Sequence, residues 1–180
     1  EQHGFATLVS IPSGPPQAGS GSEARPSPRG GVGDGPFVSH LPLLLDRSVP
    51  GRERLLGHVA RANRHWSLFD GTANALAIFH GPHAYISPSW YPTHPSVPTW
   101  NYAVVHVHGV PSVLDTEATW EIVQTLVEKY EQGRPNRWYP ALPADFLEKD
   151  LRAIVGFEMP IDRIEAKFKL GQNRSEADRA

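Results

Sequence analysis

Residues 5 to 11, Phe-Ala-Thr-Leu-Val-Ser-Ile, are apolar and β-branched and stop at Pro12, which predicts a strand. Phe37 to Leu45 predicts a second. Pro42 holds that strand at a sheet edge or bulge, because proline donates no ladder hydrogen bond. Arg54 to Ala60 predicts a third. Ala62 to Phe69, with Trp66 and Phe69 on one side, predicts a short helix. The pattern then alternates again: Ala75 to Phe79, a turn at Gly81-Pro82, and His83 to Ser87 predict a hairpin. Four prolines between Pro88 and Pro98 forbid regular structure in a loop that also carries Trp90 and Tyr91.

Trp100 to Val110 alternates so that Tyr102, Val104, His106, His108 and Val110 share one face, and Ala103, Val105, Val107 and Gly109 the other. Both faces are largely apolar, which predicts a central strand. Glu117 to Glu131 predicts the best helix. Trp120, Val123, Leu126, Val127 and Tyr130 recur at three- and four-residue spacing behind Asp115 and Thr116 as caps, and Gly133 and Pro135 stop it. A second helix is expected from Ala144 to Ala153, then strands at Ile154 to Glu158 and Ile161 to Leu170. About seven short strands with few helices between them imply a mainly β (α+β) fold, a closed or split antiparallel barrel with peripheral helices.

Composition changes this picture in one place. The 180 residues include 16 Gly and 18 Pro, and residues 13 to 36 alone hold 7 Gly, 5 Pro and 4 Ser. Such a tract buries too little apolar surface to offset its ordering entropy, so it is expected to be a disordered insertion in one domain spanning residues 1 to 180. The formal charge is −2, which argues against coating nucleic acid or a membrane surface. No run of 18 apolar residues is present, so a cytoplasmic protein with no membrane partner is expected. With no Cys there is no disulfide, thiolate metal site or cysteine nucleophile.

Among candidate chemistry, His106-x-His108 puts two imidazoles on one strand face, but no third ligand sits at a diagnostic interval, so no metal site is expected. Leu56 to Asn63 is more informative. A strand that carries His58 runs into a helix start carrying Arg61 and Asn63, where a guanidinium fork and the first helical N–H groups meet, as in a phosphate cradle. A surface Arg beside an Asn cap fits the same residues. Tyr85 to Tyr91 and Val97 to Tyr102 bring aromatic faces together with small hydrogen-bonding groups, which suits a flat heteroaromatic ligand and suits core packing equally. Alternation places Lys167 and Lys169 on one face, where they either line a site or protect an edge strand.

Several ordered motifs go further. Phe5-Ala-Thr-Leu-Val, His40-Leu-Pro-Leu, Gly57-His-Val-Ala-Arg-Ala-Asn63, Gly81 to Tyr91, Val97 to Gly109 and Lys167-Phe-Lys-Leu-Gly-Gln-Asn-Arg174 together resemble the PaiB-type FMN-binding negative transcriptional regulators. Gly171 stands where that family usually has Ser. The resemblance implies a homodimeric FMN-binding split barrel, with FMN at the subunit interface near His58, Arg61, Asn63, Tyr85, Ser87, Trp100, Asn101, Lys167, Lys169, Gln172 and Asn173. It also implies DNA or another regulatory partner, although the chain shows no helix-turn-helix and no basic recognition helix. Two other classes remain open: an FMN-dependent oxidoreductase of the flavin reductase or pyridoxamine-phosphate oxidase kind, and a flavin-free dimeric scaffold.

Overall fold

The computed structural model describes residues 4–12, 35–136 and 142–179. The expected disordered insertion therefore falls, at residues 13–34, outside the described residues. Among the described residues, nine strands form two antiparallel sheets. The first sheet has the order β2 (Phe37–Pro42), β1 (Phe5–Ser10), β5 (Ala75–Ile86), β6 (Thr99–Gly109), β9 (Arg163–Lys169). The second has the order β3 (Leu44–Asp46), β4 (Arg54–Ala60), β8 (Ile154–Pro160), β7 (Ser112–Val113). Helices α1 (Thr116–Glu131), α2 (Ala144–Arg152) and α3 (Glu176–Arg179) lie outside them.

The inward-facing residues of both sheets make one core. Leu8, Leu41, Leu43, Leu55, Val59, Val107, Phe157 and Met159 are all buried, with Phe157, Leu8 and Met159 fully so. Each such side chain contributes about 1.5–3 kcal/mol on leaving water, so alternation in the strands is what fixes their register. β6 is central, as its two apolar faces predict, with β5 on one side and β9 on the other.

Four expectations need correction. Phe37 to Leu45 is two strands rather than one. The ladder stops at Pro42, and the chain passes at Leu43, whose N–H bonds Gly4 O at 2.8 Å, from the edge of the first sheet to the edge of the second. Gly81-Pro82 turns no hairpin: β5 runs through it as one strand against β6, with the register shifting between His80 and His83. Pro82 has no N–H to give the ladder, so the extra residue is accommodated as a bulge. Residues 62 to 69 form only a 3₁₀ turn, Arg64–Leu68. Lastly, α1 buries Thr119, Ile122 and Leu126, whereas Tyr130 is exposed. Thr119 is turned inward where β8 passes unusually close to the helix. A Cβ on Gly156 would stand 2.2 Å from Thr119 Oγ1 and 3.1 Å from Thr119 Cα. Asp115 does cap α1, accepting from Ala118 N at 2.8 Å.

One polar chain crosses the core. His65, with no exposed surface, bonds Ser10 Oγ through Nε2 and Ser39 Oγ through Nδ1, both at 2.9 Å. Asn63 Oδ1 accepts from His65 N, which turns Asn63 Nδ2 toward Ser39 Oγ at 2.9 Å. Ser39 therefore accepts from Asn63 and passes its own hydrogen to His65 Nδ1, leaving Nε2–H to donate to Ser10. The neutral ring lies between Phe37 and Phe69, whose centroids are 4.8 and 5.0 Å away. This chain ties the end of β1 and the start of β2 to the 3₁₀ turn.

Candidate functional site

Most of the candidate residues meet at one end of the first sheet. There the pairs Tyr85↔Trp100, Ala84↔Asn101 and Tyr102↔Lys169 bring three strands level. Facing side chains across a ladder share a face, so Tyr85, Trp100, Tyr102, Lys167 and Lys169 stand together on the outer surface. Tyr85 and Trp100 meet edge to face at 5.9 Å and stay about half exposed, at 46% and 54%. Exposed aromatics of this size on a sheet face leave stacking surface for a ligand or a second chain. Lys169 Nζ donates to Thr99 Oγ1, which fixes its ammonium beside the Trp100 strand end.

Asn101 lies on the opposite face at the same level. Its Oδ1 is buried and has no hydrogen-bond partner, an unfavourable state worth about 1–3 kcal/mol unless a donor arrives. Close by is Gly171, whose φ of +75° suits only glycine without strain, and a Cβ there would sit 4.0 Å from Asn101 Nδ2. The turn it makes is held by Gln172, which accepts from Leu170 N at 2.8 Å and donates to Phe168 O. Asn173 follows, exposed. Ser87 caps the 3₁₀ turn Pro88–Trp90 and bonds Ser89 Oγ at 2.7 Å. Sequence reading missed two neighbours. Arg174 stacks its guanidinium 4.2 Å from the ring of buried Tyr91 and reaches Ser96, and Asp178 accepts from Thr93 N, so the C-terminal segment is strapped onto the 91–96 loop. Arg174 was legible as the last residue of the Lys167–Arg174 motif; its aromatic partner was not.

His58, Arg61 and Asn63 lie elsewhere. His58 is on the face of β4 that packs under α1; its Nδ1 is buried without a partner, and burial holds its pKa below the ordinary imidazole range. Arg61 is exposed at the end of β4, where Nε and Nη2 donate to Arg152 O at 2.7 Å and Ile154 O at 3.0 Å. Those two bonds fix the guanidinium and leave three of its five N–H groups for another acceptor. Asn63 is spent inside the chain, as the cap of the 3₁₀ turn and the partner of Ser39. Ser39 is level with Leu8 and so with Ala77 on β5, eight residues before Tyr85. At ~3.3 Å per residue this puts Asn63, two residues after Arg61, on the order of 25 Å from Tyr85 along that strand, further than one mononucleotide spans.

The remaining polar cluster on the outer face joins His108, Glu165 and Arg163. His108 Nε2 lies 3.2 Å from Glu165 Oε2, and that hydrogen bond, helped by Arg163, lowers the exposed Glu165 pKa. His106 stands level with Glu165 across the β6–β9 ladder. No helix among the described residues is long and apolar enough to cross a membrane.

Comparison with known proteins bears on this arrangement. Residues 1–163 match the family model described as "Putative FMN-binding domain". The chain is 40% identical over 144 residues to PaiB of Bacillus subtilis (strain 168), Protease synthase and sporulation protein PAI 2, covering 79% of this chain and 69% of that protein. It is 36% identical over 107 residues to an uncharacterized protein of Saccharomyces cerevisiae, covering 56% of this chain and 63% of that one. Among solved structures, the FAD and heme binding protein from Mycobacterium smegmatis superimposes with a TM-score of 0.59 at 12% identity, over 92% of this chain and 65% of that one. The flavocytochrome Anf3 from Azotobacter vinelandii gives 0.57 at 16% identity, over 96% and 66%. At such identities the likeness shows the fold, a split barrel of two antiparallel sheets. With the family model matching nine-tenths of its length, this chain belongs to the FMN-binding domain family to which its motifs point.

Proposed function

We propose that FMN lies between two copies of this chain, its ring at the Tyr85–Trp100–Asn101 end of one copy and its phosphate at Arg61 of the other. The observation that carries the ring position is Asn101 Oδ1, a buried acceptor without a donor, at the sheet end where Tyr85, Trp100 and the Lys169 ammonium stand on the opposite face. A flavin ring offers an imide N–H for such an acceptor, a flat face for Trp100 or Tyr85, and electron-rich carbonyls for lysine. The donor set therefore fits the cofactor. Lys167 shares the Lys169 face, and Gln172 and Asn173 follow in the Gly171 turn at the end of the same strand.

Arg61 supports the phosphate position through its three remaining N–H groups, held rigid by two carbonyls. The separation between Arg61 and the Trp100 end within one chain supports the second copy, as do the exposed apolar side chains of Tyr85 and Trp100 on the first sheet and of Trp90 and Val97 in the loop between them. The homodimer would bury this face and keep water from the ring. FMN, once bound, supplies one- and two-electron redox chemistry; the chain binds it, orients it and limits its exposure. With a formal charge of −2, the chain is assigned no direct DNA contact.

The test combines three measurements on the purified protein. Flavin absorbance and an FMN titration by fluorescence quenching report binding, light scattering at micromolar concentration reports the dimer, and bleaching by NADH or NADPH separates an oxidoreductase from a flavin-holding module. Asn101→Leu is expected to weaken FMN and riboflavin alike by about tenfold, the value of one hydrogen bond. A protein that copurifies without flavin and ignores added FMN overturns the proposal, and a monomer that binds FMN tightly overturns its two-copy site.

A further inference from the structure

A second cavity, unrelated to the proposed flavin site, opens where the two sheets part. It holds about 590 Å³ and lies between the β3 edge and β9, within the ~300–1,000 Å³ typical of small-molecule sites. Its walls are aliphatic and aromatic: Leu43, Leu55, Phe79, Val105, Val107 and Ile164. These extend the core, since Leu43, Leu55 and Val107 are buried members of it and Phe79 and Val105 pack against it. Ile164 faces the cavity and remains 58% exposed. A long apolar chain entering here replaces water on both walls, which is the favourable step.

The only charged lining residues described are both cations, Arg47 and Lys129. Neither forms an ion pair with a described carboxylate. The acid next to Arg47, Asp46, is already engaged by Ser48 N and by Arg54 Nε at 2.8 Å, contacts that hold its pKa below the usual carboxylate range. An apolar slot bordered by two cations that have no ion-pair partner among the described residues is complementary to an apolar chain that ends in an anion. We propose that this cavity binds an unbranched aliphatic carboxylate, its chain between the sheets and its carboxylate at Arg47 and Lys129.

The probe is dodecanoate, titrated calorimetrically below its micelle concentration into the FMN-saturated full chain, with dodecanol and dodecyltrimethylammonium run in parallel. Dodecanoate is expected to bind once per chain and to raise Tm. The double variant Arg47→Ala/Lys129→Ala changes an exposed and a half-buried side chain, so folding survives; it is expected to weaken dodecanoate about tenfold and leave dodecanol unchanged. Ile164→Trp, on an edge strand, is expected to block both probes without altering FMN affinity. The proposal is overturned by an absence of saturable binding, as when a second copy of the chain fills the slot. It is overturned equally by dodecyltrimethylammonium binding as tightly as dodecanoate, or by a double variant with parental affinity.

Discussion

Acid should unlock the first sheet through His65. In the folded chain burial holds the His65 pKa at about 4, from an ordinary value near 6.5. The ring is wholly inaccessible, and a proton on Nδ1 would face the hydrogen that Ser39 already directs at it. The unfolded chain therefore binds this proton more readily than the native one, and stability is lost as pH falls below the unfolded pKa. The loss begins near pH 6.5, reaches about 2 kcal/mol by pH 5 and levels off at about 3 kcal/mol below pH 4. His58 titrates in the same direction, and the lowered carboxylates Asp46 and Glu165 add their own losses at lower pH. Wild type alone thus cannot assign the effect. Urea unfolding should be compared between pH 7.5 and 4.5 for wild type and His65→Gln, which keeps polar reach but cannot take up a proton there. The variant should be less stable at neutral pH yet lose about 2 kcal/mol less than wild type on going to pH 5. Parallel curves for the two proteins would refute the argument, because the acid sensitivity would then reside elsewhere.

Arg61→Ala should weaken FMN about ten- to a hundredfold, the worth of a charged hydrogen bond to phosphate, and leave riboflavin affinity unchanged; equal losses for both ligands would move the phosphate away from β4. Lys169→Ala should lower FMN affinity without lowering the apoprotein Tm, whereas a Tm change alone would mark an edge-strand role. Gly156→Ala should cost about 1–3 kcal/mol in urea unfolding because α1 has to shift off β8, and an unchanged midpoint would show that the contact yields freely. Shortening residues 13–36 to a loop of about 6 residues around an Asn-Gly turn should be neutral or stabilise by about 1.2 kcal/mol, from (3/2)RT ln 4, with FMN affinity intact; a large loss of either would give the tract a part in folding or binding.

The sequence by itself determined what depends on near neighbours in the chain. The apolar, β-branched run at residues 5 to 11 and the alternation at residues 100 to 110 marked strands that fold as Phe5–Ser10 and Thr99–Gly109, because side chains two apart share a face and branched ones pack well on a pleated sheet. The Asp115 cap was legible for the same reason, being a contact over three residues. The motif residues Tyr85, Trp100, Asn101 and Lys169 marked an aromatic and cationic cluster, and the ladder does bring them to one end of one sheet. Tertiary structure decided the rest. Gly81-Pro82 reads locally as a turn, but β6 pairs with β5 on both sides of it, and the sum of ladder bonds outweighs one dipeptide's preference. The exposed face of α1 was misjudged because burial followed the close approach at Gly156, a residue 37 positions from its contact Thr119. Asn63 looked like part of a phosphate cradle until Ser39 and His65, brought beside it by the β1–β2 pairing, took up its amide. The 590 Å³ cleft left no trace in the sequence at all. Its walls come from five strands, and an opening between sheets exists only once both sheets have formed.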